Sequence, residues 1–181
     1  MSAVAYQPLL AAPAAGMTPV PLPAANALLA SWGHYLGEVH RPFGAHAWVL
    51  EVAGEPVSVA VSASTVSATV AGYRRGEVVE LARLCTAPSA AWATRVMLRL
   101  WREVAAPAWP YWPIAAAVAY SQNQRHDGRI YRFDGWTKVA DNRGHEPGPN
   151  STWNRRRAEQ DPARGRKTLW TYSHTRQEAT R

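Results

Sequence analysis

A few side chains in this 181-residue chain could move protons or hold anions. His34 and Tyr35 are adjacent and follow Gly33, which ends a helical pattern. An imidazole titrates near neutrality and can serve as a general base, although such a pair can equally pack against the helix it follows. Ser121, Asn123, His126 and Asp127 crowd a polar segment after an apolar run. The carboxyl ends of strands in open sheets commonly carry ligands. Asp127 could accept a proton or cap the helix that follows. Tyr131 lies one helical turn beyond it, where its hydroxyl could donate a proton to a leaving group or simply cover the core. Arg83 stands inside an apolar stretch. An unpaired guanidinium there would be costly, so it must reach solvent, a carboxylate or a substrate phosphate. Cys85 is the one cysteine and reads as a buried thiol. It excludes an internal disulfide and a Cys-based zinc cluster, and it agrees with a cytoplasmic location. The six histidines show no H-x-x-x-H or H-E-x-x-H spacing, so no local metal site is read from them.

The elements that must position these groups follow from periodicity. Residues 24–33 pattern as a helix with Leu28, Leu29 and Trp32 on one face. Residues 46–53 and 57–63 read as a hairpin about the Gly54-Glu55-Pro56 turn, and 77–85 as a further strand. Ser89 is placed to cap a helix running to about residue 106, with Val96, Leu100 and Val104 as its core stripe. The continuous apolar run 112–120 predicts a buried strand. A short helix at 128–134 and strands at 136–140 and 167–174 complete the order, with a long polar loop at 141–166. This order predicts an α/β (α+β) fold with a mixed sheet, as a single domain over 24–181. Residues 1–23 are uncharged and rich in Pro and Ala, and are expected to form a loosely packed arm. They lack the positive n-region of a secretory signal. No apolar run reaches the ~18 residues of a membrane span, so no membrane association is expected.

Charge is uneven. Residues 1–124 hold seven basic and six acidic residues, whereas 125–181 hold thirteen basic and seven acidic. A basic C-terminal third suits an anionic polymer, and phosphate contacts would supply affinity without base choice. Arg155-Arg156-Arg157 beside Trp153, and Arg164 with Arg166 and Lys167, interleave cations with an aromatic ring. Backbone-tracking, base-stacking surfaces have that composition, as do basic flaps.

EVVELARLCTAPSAAWATRVMLRLWREV (77–104), followed by a strand and then GRIYRFDGWTKV (128–139), resembles the Gcn5-related N-acetyltransferase (GNAT) superfamily. The resemblance implies a mixed, mostly antiparallel sheet flanked by helices. In that family a strand, turn and helix grip the pyrophosphate of an acyl-CoA. A Y-x-x-x-G-[FW] element, matched by Tyr131, Gly135 and Trp136, supplies a tyrosine that protonates the thiolate. His34-Tyr35, E-L-A-R-L-C at 80–85, Ser121 and H-D-G-R-I-Y-R-F-D-G-W at 126–136 resemble more narrowly the Mom-like phage DNA-modification proteins. Those proteins alter an adenine amino group in duplex DNA, placing a carbamoylmethyl group there and protecting the DNA from restriction. Relatives near hypermodified-thymine pathways are thought to acylate an aminomethyl-pyrimidine.

On this resemblance His34, Tyr35, Asp127 and Tyr131 are the catalytic candidates. Arg83, Leu84, Cys85, Ser89, Ala90, Ala91 and Ser121 are the candidates for holding acetyl-CoA or another acyl-CoA. Arg143, Arg155, Arg156, Arg157, Arg164, Arg166 and Lys167 are the candidates for double-stranded DNA. The family's [QR]-x-x-G-x-[GA] loop is replaced by Ala87-Pro88-Ser89-Ala90-Ala91-Trp92-Ala93, which has no glycine but has small residues where phosphate would approach. Two other functions fit the same residues: an acetyltransferase acting on a small-molecule or protein amine, and a non-enzymatic DNA-binding phage accessory protein. A homodimer is common among enzymes of this size.

Overall fold

The computed structural model describes residues 14–41, 44–142 and 166–174. The alternating run Glu55–Ala63 becomes β3, an inner strand of a seven-stranded sheet. In chain order the elements are β1 (Ala15–Val20), α1 (Leu22–Ser31), β2 (Ala45–Val52), β3, a small hairpin of β4 (Thr69–Val70) and β5 (Tyr73–Arg74), β6 (Val78–Thr86), α2 (Ala93–Leu100), β7 (Ala116–Gln122), α3 (Arg129–Phe133), β8 (Thr137–Asn142) and β9 (Lys167–Ser173). The main sheet runs β1-β2-β3-β6-β7-β9-β8, antiparallel throughout except for the β6–β7 pair. The expected mixed, mostly antiparallel fold is therefore present.

Helices cover both faces. On one, Ala93, Met97 and Trp101 pack with Val79, Leu81, Ala117, Ala119 and Trp170. On the other, Ala25 and Leu29 of α1 pack with Val49, Val59 and Val61. Val70 of the small hairpin packs with Val78, Val118 and Leu169. Strand β1 was not foreseen. Residues 15–20 pair with Val52 back to Ala47 and form an edge of the sheet, where a loose arm was expected. Pro19 is tolerated because an edge strand needs ladder bonds on one side only.

The second helix departs from expectation in two ways. Ser89 lies in a 3-10 turn, Pro88–Ala90, and caps nothing; α2 starts four residues later. The buried stripe is Ala93, Met97, Trp101 and Ala105, all 0% exposed, whereas Val96 and Val104 are 42% and 47% exposed. A π turn at Trp101–Ala105 extends the helix, with the Ala106 N–H reaching the Trp101 carbonyl. Such a widened turn shifts the facing of side chains. Here it accompanies the burial of Arg102, whose guanidinium pairs with Asp134 at the end of α3.

Candidate active site

Strands β6 and β7 are paired only from Val78↔Ala116 to Leu81↔Ala119. Beyond that point β6 stays bonded to β3 as far as Thr86, and β7 stays bonded to β9 as far as Gln122. The two halves of the sheet therefore part, and a cleft of about 660 Å³ opens between them. A bulge sits at its base. Ser62 faces Leu81 and Val61 faces Arg83, so Ala82 has no opposing residue on β3 and lies just past the last β7 pair. Backbone donors and acceptors thus line the cleft where a regular sheet would have consumed them.

One wall is built on α3. Gly128 starts this helix at φ +73 and Gly135 follows it at φ +83, both left-handed conformations suited to glycine. Between them Tyr131 lines the cleft, stacked on Trp170 (centroids 5.7 Å) and edge-on to Trp136 (5.3 Å). Burial first, then the nearby Tyr35, holds its phenol pKa well above the ordinary range, so it keeps its proton. No hydrogen bond to the Tyr131 hydroxyl occurs among the described residues. Ser121, a candidate cofactor residue, also lines the cleft; it is buried and accepts a hydrogen bond from Trp170 Nε1 at 2.9 Å. Thr94 of α2 also lines the cleft and meets Thr86 through their hydroxyls at 3.1 Å. No motif pointed to Thr94, because its link to the end of β6 runs across an irregular turn.

The opposite wall carries His34, Tyr35 and Leu36. The His34 and Tyr35 rings stack at 5.1 Å, and the Arg125 guanidinium lies 4.9 Å over Tyr35. His34 Nδ1 accepts the Leu36 N–H at 3.3 Å, which leaves the proton of the neutral ring on Nε2. Burial, then Arg83, then His126 push its pKa down to about 4. The His34 ring in the cleft lining is thus uncharged at neutral pH. Asp127 is exposed: Oδ1 accepts the Arg129 N–H at 3.0 Å and Oδ2 meets Arg129 Nε at 2.6 Å. Of its two sequence readings, the structure shows the one in which it organises the start of α3.

Several expected cofactor residues fall elsewhere. Arg83 lines the cleft, but its donors go to main-chain carbonyls of Leu36, Gly37, Glu38 and Ala82. It is not free to grip a phosphate. Leu84 lines the cleft, whereas Cys85 packs with the α1 cluster, and burial raises its thiol pKa. Ser89 and Ala91 are exposed and Ala90 is buried in the core; none of the three lines the cleft. Arg166 is exposed and Lys167 half-buried at the start of β9. Arg143, Arg155, Arg156, Arg157 and Arg164 lie outside the described residues. Among the described residues, the cleft lining contains three arginines (Arg83, Arg125, Arg129) against a single carboxylate, Asp127. Glu80, not foreseen, is buried beside β7 and pairs with Arg41 at 2.7 Å. Among the described residues no group of three or more His, Cys, Asp or Glu could hold a metal ion, and no helix is long and apolar enough to cross a membrane.

No family model and no curated protein matches this chain. Solved structures do. An N-acetyltransferase from Staphylococcus aureus superposes with a TM-score of 0.57 at 4% identity, over 88% of this chain and 97% of that one. An IAA acetyltransferase from Bacillus cereus gives 0.53 at 10%, over 88% and 99%. A Desulfovibrio desulfuricans protein provisionally assigned to the GNAT acetyltransferases gives 0.53 at 12%, also over 88% and 99%. At such identities the likeness establishes the fold, which is that of the GNAT acetyltransferases.

Proposed function

We propose that this protein transfers an acyl group from an acyl-CoA to an amine, and that the amine belongs to a base of double-stranded DNA, either adenine N6 or an aminomethyl-pyrimidine. The observation that carries the first half is the parting of β6 and β7 with Tyr131 in the lining of the gap. The gap suits an extended amide-bearing chain such as pantetheine, because the strand segments beyond Leu81 and Ala119 have backbone groups no longer bonded to one another. An acyl-CoA would supply an acyl group activated as a thioester. Leu84, Thr94 and Ile130 are the residues of this chain placed to flank it.

The remaining work falls to the protein. The main chain at the Ala82 bulge lines the cleft, and we assign to it the stabilisation of charge developing on the acyl oxygen. Tyr131 holds a proton across the physiological range for the departing sulfur. In the transfer the amine nitrogen bonds the acyl carbon and the C–S bond breaks with its electron pair on sulfur. Sulfur takes the Tyr131 proton, the surplus proton on nitrogen leaves to solvent at the open rim, and solvent reprotonates the phenolate.

The DNA half rests on charge and on the resemblance to Mom-like proteins. The cleft is lined by cations, and Arg132 and Arg166 are exposed nearby in sequence to cleft residues. A base amine inside a duplex is out of reach, so the nucleotide must be extruded into the cleft. The test is mass spectrometry of nucleosides from DNA of cells producing the wild type or Tyr131→Phe. A new acylated nucleoside with the wild type, strongly reduced with the variant, is expected. Unaltered nucleosides in host DNA and in DNA bearing aminomethyl-pyrimidine, with soluble protein that binds acetyl-CoA, would reject the DNA acceptor.

A further inference from the structure

We infer that Arg83 is a positioning residue that clamps the 34–41 segment onto β6 and so fixes the His34–Tyr35 wall of the cleft. Arg83 Nε donates to the Gly37 carbonyl at 3.1 Å, and NH2 donates to the carbonyls of Leu36 and Glu38, both at 3.2 Å. Three consecutive carbonyls thus converge on one guanidinium. NH1 donates to the Ala82 carbonyl at 2.8 Å, so the same side chain also holds the bulge residue. A second link runs the other way: Arg41 of the segment reaches Glu80 of β6 at 2.7 Å. A third comes from α1, where Asn26 accepts the Val39 N–H at 2.9 Å and donates to the Val39 carbonyl at 3.4 Å. The segment is short and irregular, with Gly33 and Gly37 at φ +66 and +59. It has no strand partner of its own, yet it presents His34, Tyr35 and Leu36 to the cleft.

The type of residue matters. A guanidinium offers five donors in a planar fork, and three of its nitrogens are engaged here. A lysine keeps the charge but offers one point of contact. It would leave part-buried carbonyls short of donors, which costs more than the lost bonds themselves. Arg83 therefore joins the bulge at Ala82 to the Tyr35 wall as one mechanical unit, and this side of the cleft is assembled before any ligand arrives. This goes beyond the proposed acyl transfer and does not depend on it.

Hydrogen exchange on the wild-type protein, followed by Arg83→Lys, tests the clamp. In the wild type the hydrogen-bonded amides of Leu36, Gly37 and Val39 should exchange at least 100-fold slower than those of the exposed turn at 66–68. In Arg83→Lys that protection should fall at least tenfold while the strand amides of β3 and β7 keep theirs. The His34 imidazole, read by NMR, should titrate higher in the lysine variant although the charge is kept, because the released segment hydrates it. The groups facing that ring are Arg83, His126 and Tyr35, and the last two are untouched. Acetyl-CoA affinity, measured on the same samples, should change by less than threefold. Fast wild-type exchange at Leu36, Gly37 and Val39 would overturn the clamp without any variant. A lysine variant with unchanged exchange and a tenfold loss of acetyl-CoA affinity would overturn it too, and would assign Arg83 to the donor instead. Failure to bind acetyl-CoA in both forms would count against the proposed acyl transfer and leave the exchange result to decide the clamp.

Discussion

The Tyr131 ring stacks on Trp170 with centroids 5.7 Å apart and planes 23° from parallel, so strand β9 sets where the α3 tyrosine points. Trp170 is itself held from below by Ser121, which accepts its indole N–H. The fit has no slack. A Cβ added at Gly128 would lie 2.3 Å from a Trp170 ring carbon, on a backbone at φ +73. Trp170 is 2% exposed and has nowhere to move. Gly128→Ala should therefore combine left-handed strain of about 1–2 kcal/mol with overpacking of about 1–3 kcal/mol. Thermal unfolding should show a loss of roughly 5–15 °C, and near-UV circular dichroism should report a rearranged tryptophan environment. A variant melting within a degree of the wild type would show that the stack is loose.

Asp134 ties α2 to α3. It receives Arg102 at 3.0 Å, Arg99 at 3.6 Å and the Trp136 indole N–H at 3.2 Å. The Arg102–Asp134 pair is buried on both sides, and Arg102 also donates to the Asp134 carbonyl. Breaking a buried pair from one side costs about 3–5 kcal/mol when the other charge is left uncompensated, and Glu103, which also meets Arg102, puts this pair at the lower end of that range. Asp134→Ala should lower stability by that order in denaturant titration. Asp134→Ala combined with Arg102→Met should recover part of the loss, because no charge is then stranded. If the double variant is no more stable than the single, the pair is not the source of the penalty.

Acid stability should depend on His34. The unfolded imidazole titrates near 6.5 and the folded one near 4, because of burial and the positive charge of Arg83 and His126. Above pH 6.5 both states are neutral and the group costs nothing. As pH falls from 6.5 to 4, the unfolded chain binds a proton that the folded protein refuses, and stability drops across that window. Below 4 the folded form is protonated too and the loss levels off. His34→Gln should flatten the melting temperature profile between pH 6.5 and 4. A residual slope is expected from His46 and His174, whose pKa values burial also lowers. An unaltered profile would mean that the His34 ring is hydrated.

Much of the framework is legible in the chain. The alternation in 57–63 and the turn residues around α3 specify their elements within two residues, whereas the apolar run 112–120 gives β7 with its start four residues too early. Tyr131 was singled out by the resemblance through Gly135 and Trp136, its own residue type leaving core cover open, and it lines the cleft. Arg83 was singled out for the right reason, the cost of an unpaired buried charge. Its partners could not be read, because they are backbone carbonyls, three of the four more than 40 residues away, which carry no side-chain signature. Strand β1 was hidden because its residues, Ala15 to Val20, include Gly and Pro and its pairing is set by β2 rather than by its own propensity.

The second helix shows how periodicity alone can choose the wrong face, and it yields a direct comparison. Two stripes at i+4 spacing run side by side: Val96, Leu100 and Val104, and one residue later Ala93, Met97, Trp101 and Ala105. The β-branched stripe looks more apolar on paper. The tryptophan stripe is buried because Trp101 reaches across the sheet face, where its indole N–H donates to Ser62 Oγ at 2.8 Å and its ring stacks on Trp136. Met97→Ala should then create a cavity and cost about 2–5 kcal/mol. Val96→Ala should stay within about 0.5 kcal/mol, since an exposed valine gains little from burial and alanine is the better helix former. Denaturant midpoints of the two variants decide between the stripes. A larger loss at Val96 than at Met97 would restore the stripe expected from the sequence.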